Sequence, residues 1–185
     1  MKNTILLAAL LLASSGAFAA NAYVGINASS ALQRVDVSIG TLSERTTGYK
    51  VYGGYKLSAN VGVEGGYVNF GEVSESVGGT TATVEPSSFY VALTGAMPAT
   101  DKIEVFVKLG VARSETKYSI QTATLRESEE RTRIGAVAGI GFQYRFSDSL
   151  SAVGEYEYFA KVSSVDELGA KSKVSLISLG LRMAF

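Results

Sequence analysis

Eight segments of this 185-residue chain alternate between apolar and polar residues with a period of two, which is the period of a β-strand. The last is the clearest, because Ile177, Leu179, Leu181, Met183 and Phe185 fall on one side of it. The predicted strands cover residues 22–31, 47–57, 60–70, 87–97, 102–114, 131–146, 150–160 and 174–185. No segment shows a convincing helical period, so the chain is predicted to be all-β.

The connections between these segments alternate in length. Short connections lie near 57–60, 97–101 and 147–149, and long polar ones cover 32–46, 71–86, 115–130 and 161–173. In an up-and-down antiparallel sheet, successive connections fall at opposite ends, so the short turns collect at one rim and the long loops at the other. This asymmetry is typical of outer-membrane barrels. The sequence therefore predicts an eight-stranded antiparallel up-and-down transmembrane β-barrel.

A soluble lipocalin-type barrel also alternates but keeps its apolar face inside, so the two faces must be told apart. Glycine sits mostly on the polar face, beside ionic residues such as Glu64, Lys108 and Arg182. On a solvated outer face glycine would only weaken the strands, whereas inside a narrow barrel it makes room for long side chains. We therefore expect a polar lumen and an apolar face towards lipid, with Tyr and Phe near the strand ends as interfacial girdles.

The amino terminus predicts export. Lys2 precedes the apolar run 5–12, and small residues ending at Ala19 form an A-x-A arrangement. Residues 1–19 are therefore predicted to be a secretory signal peptide, and residues 20–185 a single barrel domain. The apolar run is too short to cross a bilayer as a helix, so insertion must be by strands. The expected location is the bacterial outer membrane.

Composition excludes several classes of function. Without the signal peptide the chain has 16 Lys and Arg against 17 Asp and Glu, so it lacks the concentrated basic character of a nucleic-acid partner. It has no Cys, which excludes disulfides and thiolate metal sites, and no His, which removes Ser-His catalysis. Glu155 and Glu157 share one strand face, but we expect lumen ion pairs rather than catalysis. No cofactor and no metal site are expected, since the acidic run 127–130 is interleaved with arginines.

Several segments together resemble the transmembrane domain of outer membrane protein A. They are Val51–Tyr67, Pro98–Gly110, Gly139–Asp148, Glu155–Tyr158 and Ser178–Phe185. Size and loop pattern are similar to small surface barrels of the neisserial surface protein A and opacity type. The resemblance implies that the terminal Phe185 closes the barrel and is recognised by the barrel assembly machinery. Outer membrane protein A continues into a peptidoglycan-binding domain, so anchoring to the cell wall is not carried over to this chain.

The resemblance also implies a lumen plugged by ion pairs. Glu64 matches an interior glutamate of the family, and Lys108 and Glu155 match other interior charged positions. Val153 replaces the family's basic residue and Gln143 stands near the position of an acid, so the pairings are expected to differ.

Independently of any family, buried charges need partners. The candidate network consists of Lys50, Glu64, Lys108, Arg133, Glu155 and Arg182. A sealed plug is the main interpretation, and a small passive or gated pore is the alternative.

The polar loops are the remaining place for specificity. They either solvate the outer rim or bind a host or environmental surface ligand, as in an adhesin. Basic rim residues can also pair with lipopolysaccharide phosphates. The candidates are Arg113, Lys117, Arg131, Lys161, Lys171 and Lys173. The sequence thus predicts a structural and surface-interaction protein, with a pore second and a lipid A-modifying enzyme a distant third.

Overall fold

Nearly every described residue of this computed structural model lies in a β-strand. The structure describes the backbone of residues 21–37, 40–77, 80–121, 126–165 and 170–185, and the side chains of 21–32, 45–74, 83–117, 119, 131–160 and 174–185. The predicted signal peptide lies outside these residues. In the described part of the chain, no helix is long and apolar enough to cross a membrane.

Nine strand segments follow one another along the chain. They are β1 (Ala22–Val37), β2 (Gly40–Lys56), β3 (Val61–Asn69), β4 (Val73–Val77), β5 (Thr80–Pro98), β6 (Ile103–Gln121), β7 (Arg126–Arg145), β8 (Leu150–Val165) and β9 (Ala170–Ala184). Every pairing between neighbours is antiparallel. Both β3 and β4 pair with β5, one beyond the other, so together they occupy a single position in the sheet. The predicted eight-stranded barrel is therefore confirmed.

The first and last strands close the barrel. They pair from Tyr23 opposite Ala184 to Asp36 opposite Lys171. The backbone N–H of Phe185 donates to the carbonyl of Ala22 at 3.0 Å, which extends the ladder to the last residue. Closure satisfies the backbone groups that an open sheet edge would leave unpaired in lipid.

Three short turns lie at one end of the barrel, which we call the short-turn end. They span residues 57–60, 99–102 and 146–149, where the sequence predicts short connections. In each turn a hydroxyl accepts a backbone N–H three residues later: Ser58 from Val61 (3.2 Å), Thr100 from Ile103 (3.0 Å) and Ser147 from Leu150 (3.1 Å). Ser and Thr suit these turns because their hydroxyls replace missing ladder bonds.

The prediction of long loops is corrected by the structure. Strand pairing continues through most of residues 32–46, 71–86, 115–130 and 161–173. The pairing of β1 with β2, for example, runs to Val37 opposite Gly40. Beyond the apolar belt the outward face meets water and the inward face holds small polar residues such as Ser114 and Thr116, so apolar alternation fades although the backbone still pairs. The four connections are therefore mainly strand hairpins, and this side of the barrel is called the long-hairpin end.

The predicted faces are confirmed. Side chains such as Leu93, Val107 and Leu179 point outward and are exposed, whereas Glu64 and Lys108 point inward and are buried. The outward face is apolar from strand to strand, and its aromatic residues include a row of Tyr49, Tyr67 and Phe89 with neighbouring ring centroids 6.2 and 4.9 Å apart. A soluble barrel would have the opposite arrangement.

The ladder of β3 is interrupted between Asn69 and Val73. Gly71 has a φ of 90°, a conformation that favours glycine. The N–H of Phe70 donates to the carbonyl of Pro86 at 3.1 Å, and the carbonyl of Phe70 accepts a bond from the Thr46 hydroxyl at 2.5 Å. Phe70 continues the inward register of Glu64 and Val68, and its side chain is fully buried in the lumen.

Candidate functional site

Several inward-facing glycines make room for aromatic rings. A Cβ atom in place of four of them would overlap a ring on a neighbouring strand. The pairs are Gly25 with Tyr52, Gly54 with Tyr23, Gly66 with Tyr90 and Gly141 with Phe106. Gly139 instead lies beside the Lys108 and Glu157 side chains, as the sequence argument expected for ionic residues. Glycine therefore allows bulky groups to fill the bore of a barrel in which side chains just fit.

Two lysines and three glutamates meet in the middle of the lumen. Lys108 Nζ lies 2.5 Å from Glu64, 2.5 Å from Glu155 and 3.2 Å from Glu157. Lys50 Nζ lies 2.8 Å from Glu155 and 2.9 Å from Glu157. All five side chains are completely shielded from solvent. Each charge therefore has at least one opposite partner within hydrogen-bond distance.

Arg182 joins this group from the short-turn end. Its Nη2 lies 3.4 Å from Glu64, and its Nη1 donates to Gln143 Oε1 at 2.9 Å. Glu64 also accepts hydrogen bonds from the hydroxyls of Tyr23 at 3.0 Å and Tyr90 at 2.7 Å. Both oxygens of this carboxylate are thus held by donors from several strands.

We call Lys50, Lys108, Arg182, Glu64, Glu155 and Glu157 the ion-pair cluster. Its three cations balance its three carboxylates, and aromatic rings surround it. The Tyr52 ring lies 4.7 Å from Lys50 Nζ, 5.8 Å from Lys108 Nζ and 5.3 Å from the Arg182 guanidinium carbon. Cations over aromatic faces are stabilised when they are removed from water. A cluster without net charge is expected here, because an unpaired buried charge is strongly destabilising.

A second layer crosses the lumen on the long-hairpin side of the cluster. We call it the apolar layer, and it consists of Val68, Phe70, Val137, Phe159, Val174 and Leu176, all at most 1% exposed. Phe159 is the next inward residue after Glu157 on β8. Its ring meets the Phe70 ring edge to face, with centroids 5.2 Å apart. The lumen therefore contains a packed apolar layer in addition to the expected ionic network.

The structure brings together five of the six predicted network residues: Lys50, Glu64, Lys108, Glu155 and Arg182. Arg133 lies elsewhere. It shares the inward register of β7 but stands opposite Ser114, whereas Lys108 stands opposite Gly139, about 20 Å away along the strand at the usual rise per residue. The prediction missed the apolar layer, although Phe159 continues the inward register of Glu155 and Glu157.

The predicted lipopolysaccharide contacts divide between the two faces of the strands. Arg113 and Lys117 are exposed on the outward side of β6, and Arg113 lies 3.3 Å from Glu115. Arg131 stands opposite the buried Thr116 and thus shares the inward register. The side chains of Lys161, Lys171 and Lys173 lie outside the described ones.

The short-turn end contains a small recess of about 20 Å³, enough for roughly one water molecule. It ends at Phe106 and Arg182, and its mouth holds Lys56 and Glu104, which approach to 4.0 Å. Among the described residues, no three acidic, His or Cys side chains are arranged to hold a metal ion.

Comparisons with known proteins agree with this architecture. A family model described as the OmpA-like transmembrane domain matches residues 17–185. Outer membrane protein A of Salmonella typhi is 23% identical over 148 residues, which cover 79% of this chain and 42% of that protein. Its counterpart in Shigella flexneri is 22% identical with the same coverage. The chain thus spans less than half the length of these curated relatives.

Two solved structures share the fold. Ail, the attachment invasion locus protein of Yersinia pestis, in complex with the heparin analogue sucrose octasulfate, superposes with a TM-score of 0.59 at 20% identity, covering 89% of this chain and 99% of Ail. Neisserial surface protein A superposes with a TM-score of 0.61 at 17% identity, covering 89% and 97%. With its apolar outer belt, closed strand ladder and matching family model, the chain belongs to the family of OmpA-like transmembrane domains and is a β-barrel of the bacterial outer membrane.

Proposed function

We propose that this barrel is a structural, non-catalytic protein whose lumen is closed to ions and whose outer hairpins make contacts at the cell surface. The observation that carries the closed lumen is the pair of buried layers across it, the ion-pair cluster and the apolar layer. A small passive or gated pore is the alternative. Single-channel recordings of the wild-type protein in planar bilayers test the proposal. Stable, ion-selective openings that change in Glu64→Ala would overturn it.

The absence of catalysis is part of the proposal, and the positions of the lumen carboxylates support it. Glu155 and Glu157 share one face, as a pair of acid and base groups would, but both are bound to Lys50 and Lys108. They lie beneath the apolar layer, away from any lipid or peptide substrate. Incubating the purified protein with lipid A and phospholipid, followed by mass spectrometry of the lipids, checks this. Any product that disappears in Glu155→Gln would refute it.

Lipopolysaccharide is the proposed lipid partner. Arg113 and Lys117 continue the outward register of Leu109 and Val111, so they lie just above the apolar belt, at the expected depth of headgroup phosphates. Arginine and lysine bind phosphate through charge-assisted hydrogen bonds. We expect Arg113→Ala/Lys117→Ala to weaken binding to purified lipopolysaccharide. Lys102→Ala, which removes an exposed cation at the short-turn end, is the matched control, and equal affinity of the two variants would discard the proposal.

An adhesin-like role of the outer hairpins is the proposed surface function. Strand pairing carries these hairpins well beyond the apolar belt, as the register of β6 with β7 to Gln121 and Arg126 illustrates. The related fold of Ail was solved with a heparin analogue, and here Arg45 and Lys117 are exposed on the hairpins. Sulfated glycans are therefore the first ligand class to test. Cells displaying the protein should bind immobilised heparin more than cells with a variant shortened to the belt, and equal binding would contradict the role.

A further inference from the structure

The apolar layer differs in kind from the ion-pair cluster beneath it. The cluster can rearrange, because Lys108 has three carboxylates within 3.2 Å and Lys50 shares two of them. When a lysine exchanges one carboxylate partner for another, the space open to an ion in the lumen changes although no covalent bond breaks. The apolar layer has no charges to exchange, and its side chains are at most 1% exposed.

An ion that passed a rearranged cluster would next meet the packed side chains of the apolar layer, with buried hydroxyls such as that of Ser88 only at the wall beside it. Moving an ion from water into apolar surroundings is very unfavourable, and apolar constrictions close channels by excluding water. The Phe159 ring contacts the Phe70 ring, and its centroid lies 6.3 Å from that of Tyr90. The rings thus connect opposite walls of the lumen, from the β3 interruption and β5 to β8.

Phe70 is held in place by bonds outside the regular ladder. Its carbonyl accepts the Thr46 hydroxyl bond at 2.5 Å, its N–H donates to Pro86 at 3.1 Å, and Gly71 provides the positive φ that ends the strand segment. Phe70 keeps the inward register of Val68, and these bonds fix the backbone where its ring is presented to the bore. Thr46 acts as a positioning residue for that ring.

From these contacts we infer that two barriers in series close the lumen, and that the apolar layer blocks ions even when the ion-pair cluster is opened. The inference rests on the proposed closed lumen and extends it by assigning the outer barrier to Phe70 and Phe159.

Planar-bilayer recordings of four proteins test the inference. The cluster variant is Lys108→Ala/Glu157→Ala, which removes one cation and one carboxylate and so keeps the cluster neutral. The layer variant is Phe70→Ser/Phe159→Ser, and the third variant combines all four changes. We expect conducting events above the wild-type level only in the combined variant. Each protein is first shown to be folded by the change in its gel mobility on heating.

Each other outcome overturns a stated claim. Conductance in the cluster variant alone would show that the apolar layer is no barrier, and conductance in the layer variant alone would show the same for the cluster. A silent combined variant would place the barrier in other residues. Conductance in the wild type would instead refute the proposed closed lumen.

Two further proteins guard against trivial results. The first adds Phe89→Ser/Phe142→Ser, which removes two rings from the lipid face, to the cluster variant. We expect this protein to show no conducting events. If the serine variants do not fold, Phe70→Val/Phe159→Val opens the layer with less perturbation and is judged by the same outcomes.

Discussion

Replacing Lys108 by methionine tests whether the ion-pair cluster stabilises the barrel through charge balance. Lys108 is the cation that contacts Glu64, Glu155 and Glu157, so its loss leaves three carboxylates facing Lys50 and Arg182. Breaking a buried pair from one side costs about 3–5 kcal/mol, because the other charge stays buried without its partner. We therefore expect Lys108→Met to lower the free energy of unfolding by that amount.

The second variant of this test restores neutrality. Glu157 contacts only the two lysines among the described ion pairs, with Oε2 at 2.9 Å from Lys50 and Oε1 at 3.2 Å from Lys108. In Lys108→Met/Glu157→Gln the amide oxygen can still accept a bond from Lys50, and two cations face two carboxylates. Because replacing a whole buried pair is often nearly neutral, the double variant should recover at least about half of the loss.

The assay is urea unfolding in phospholipid vesicles. The folded fraction is taken from the gel mobility of unheated samples, since the chain has no Trp for fluorescence. Lys102→Met, at an exposed turn position, is the control and should change stability by no more than about 0.5 kcal/mol. Stabilisation through charge balance is refuted if Lys108→Met lowers the free energy of unfolding no more than the control does. It is also refuted if the double variant is no more stable than Lys108→Met.

Three further predictions concern packing, lipid contact and assembly. Gly54→Ala should destabilise the barrel by about 1–3 kcal/mol, because its Cβ overlaps the Tyr23 ring, whereas Gly95→Ala on the outer face should be tolerated; urea unfolding compares them. Leu179→Lys should cost about 2–4 kcal/mol in the same assay, since it places a charge in lipid, and a neutral result would contradict the outward assignment. Phe185→Ser should lower the amount of heat-modifiable barrel in outer-membrane fractions, and wild-type levels would argue against a terminal assembly signal.

The face assignment was predictable because a membrane barrel reverses the usual location of apolar residues. Glu64 and Lys108 alternate with Val63 and Val107, and only a lumen can bury the charged member of each pair. The network was largely predictable for the same reason, since buried charges have to find partners. The predicted network includes Arg133, which the structure places away from the cluster, because the inward register does not show how far along its strand a residue lies from the middle of the barrel.

The apolar layer and the hairpins were not predicted, for two physical reasons. Val68 and Phe159 each continue the inward register of their own strand. In the sequence, however, an apolar residue next to a series of polar inward positions looks like a residue that faces lipid. Outside the belt, residues such as Thr116 and Lys117 meet water or polar neighbours on both faces, so strands there show no alternation. Gly71 alone does not reveal that the chain resumes pairing at Val73.

The seam between β1 and β9 makes the barrel a suitable scaffold for circular permutation. Because the Phe185 amide is bonded to the Ala22 carbonyl, a short linker can join the two, and new ends can be opened in the turn at 99–102. Such a permuted chain would keep the strand pairings, while Phe185 would lie in the middle of the sequence. It would thereby distinguish the contribution of Phe185 to closing the barrel from its recognition by the assembly machinery at the end of a strand.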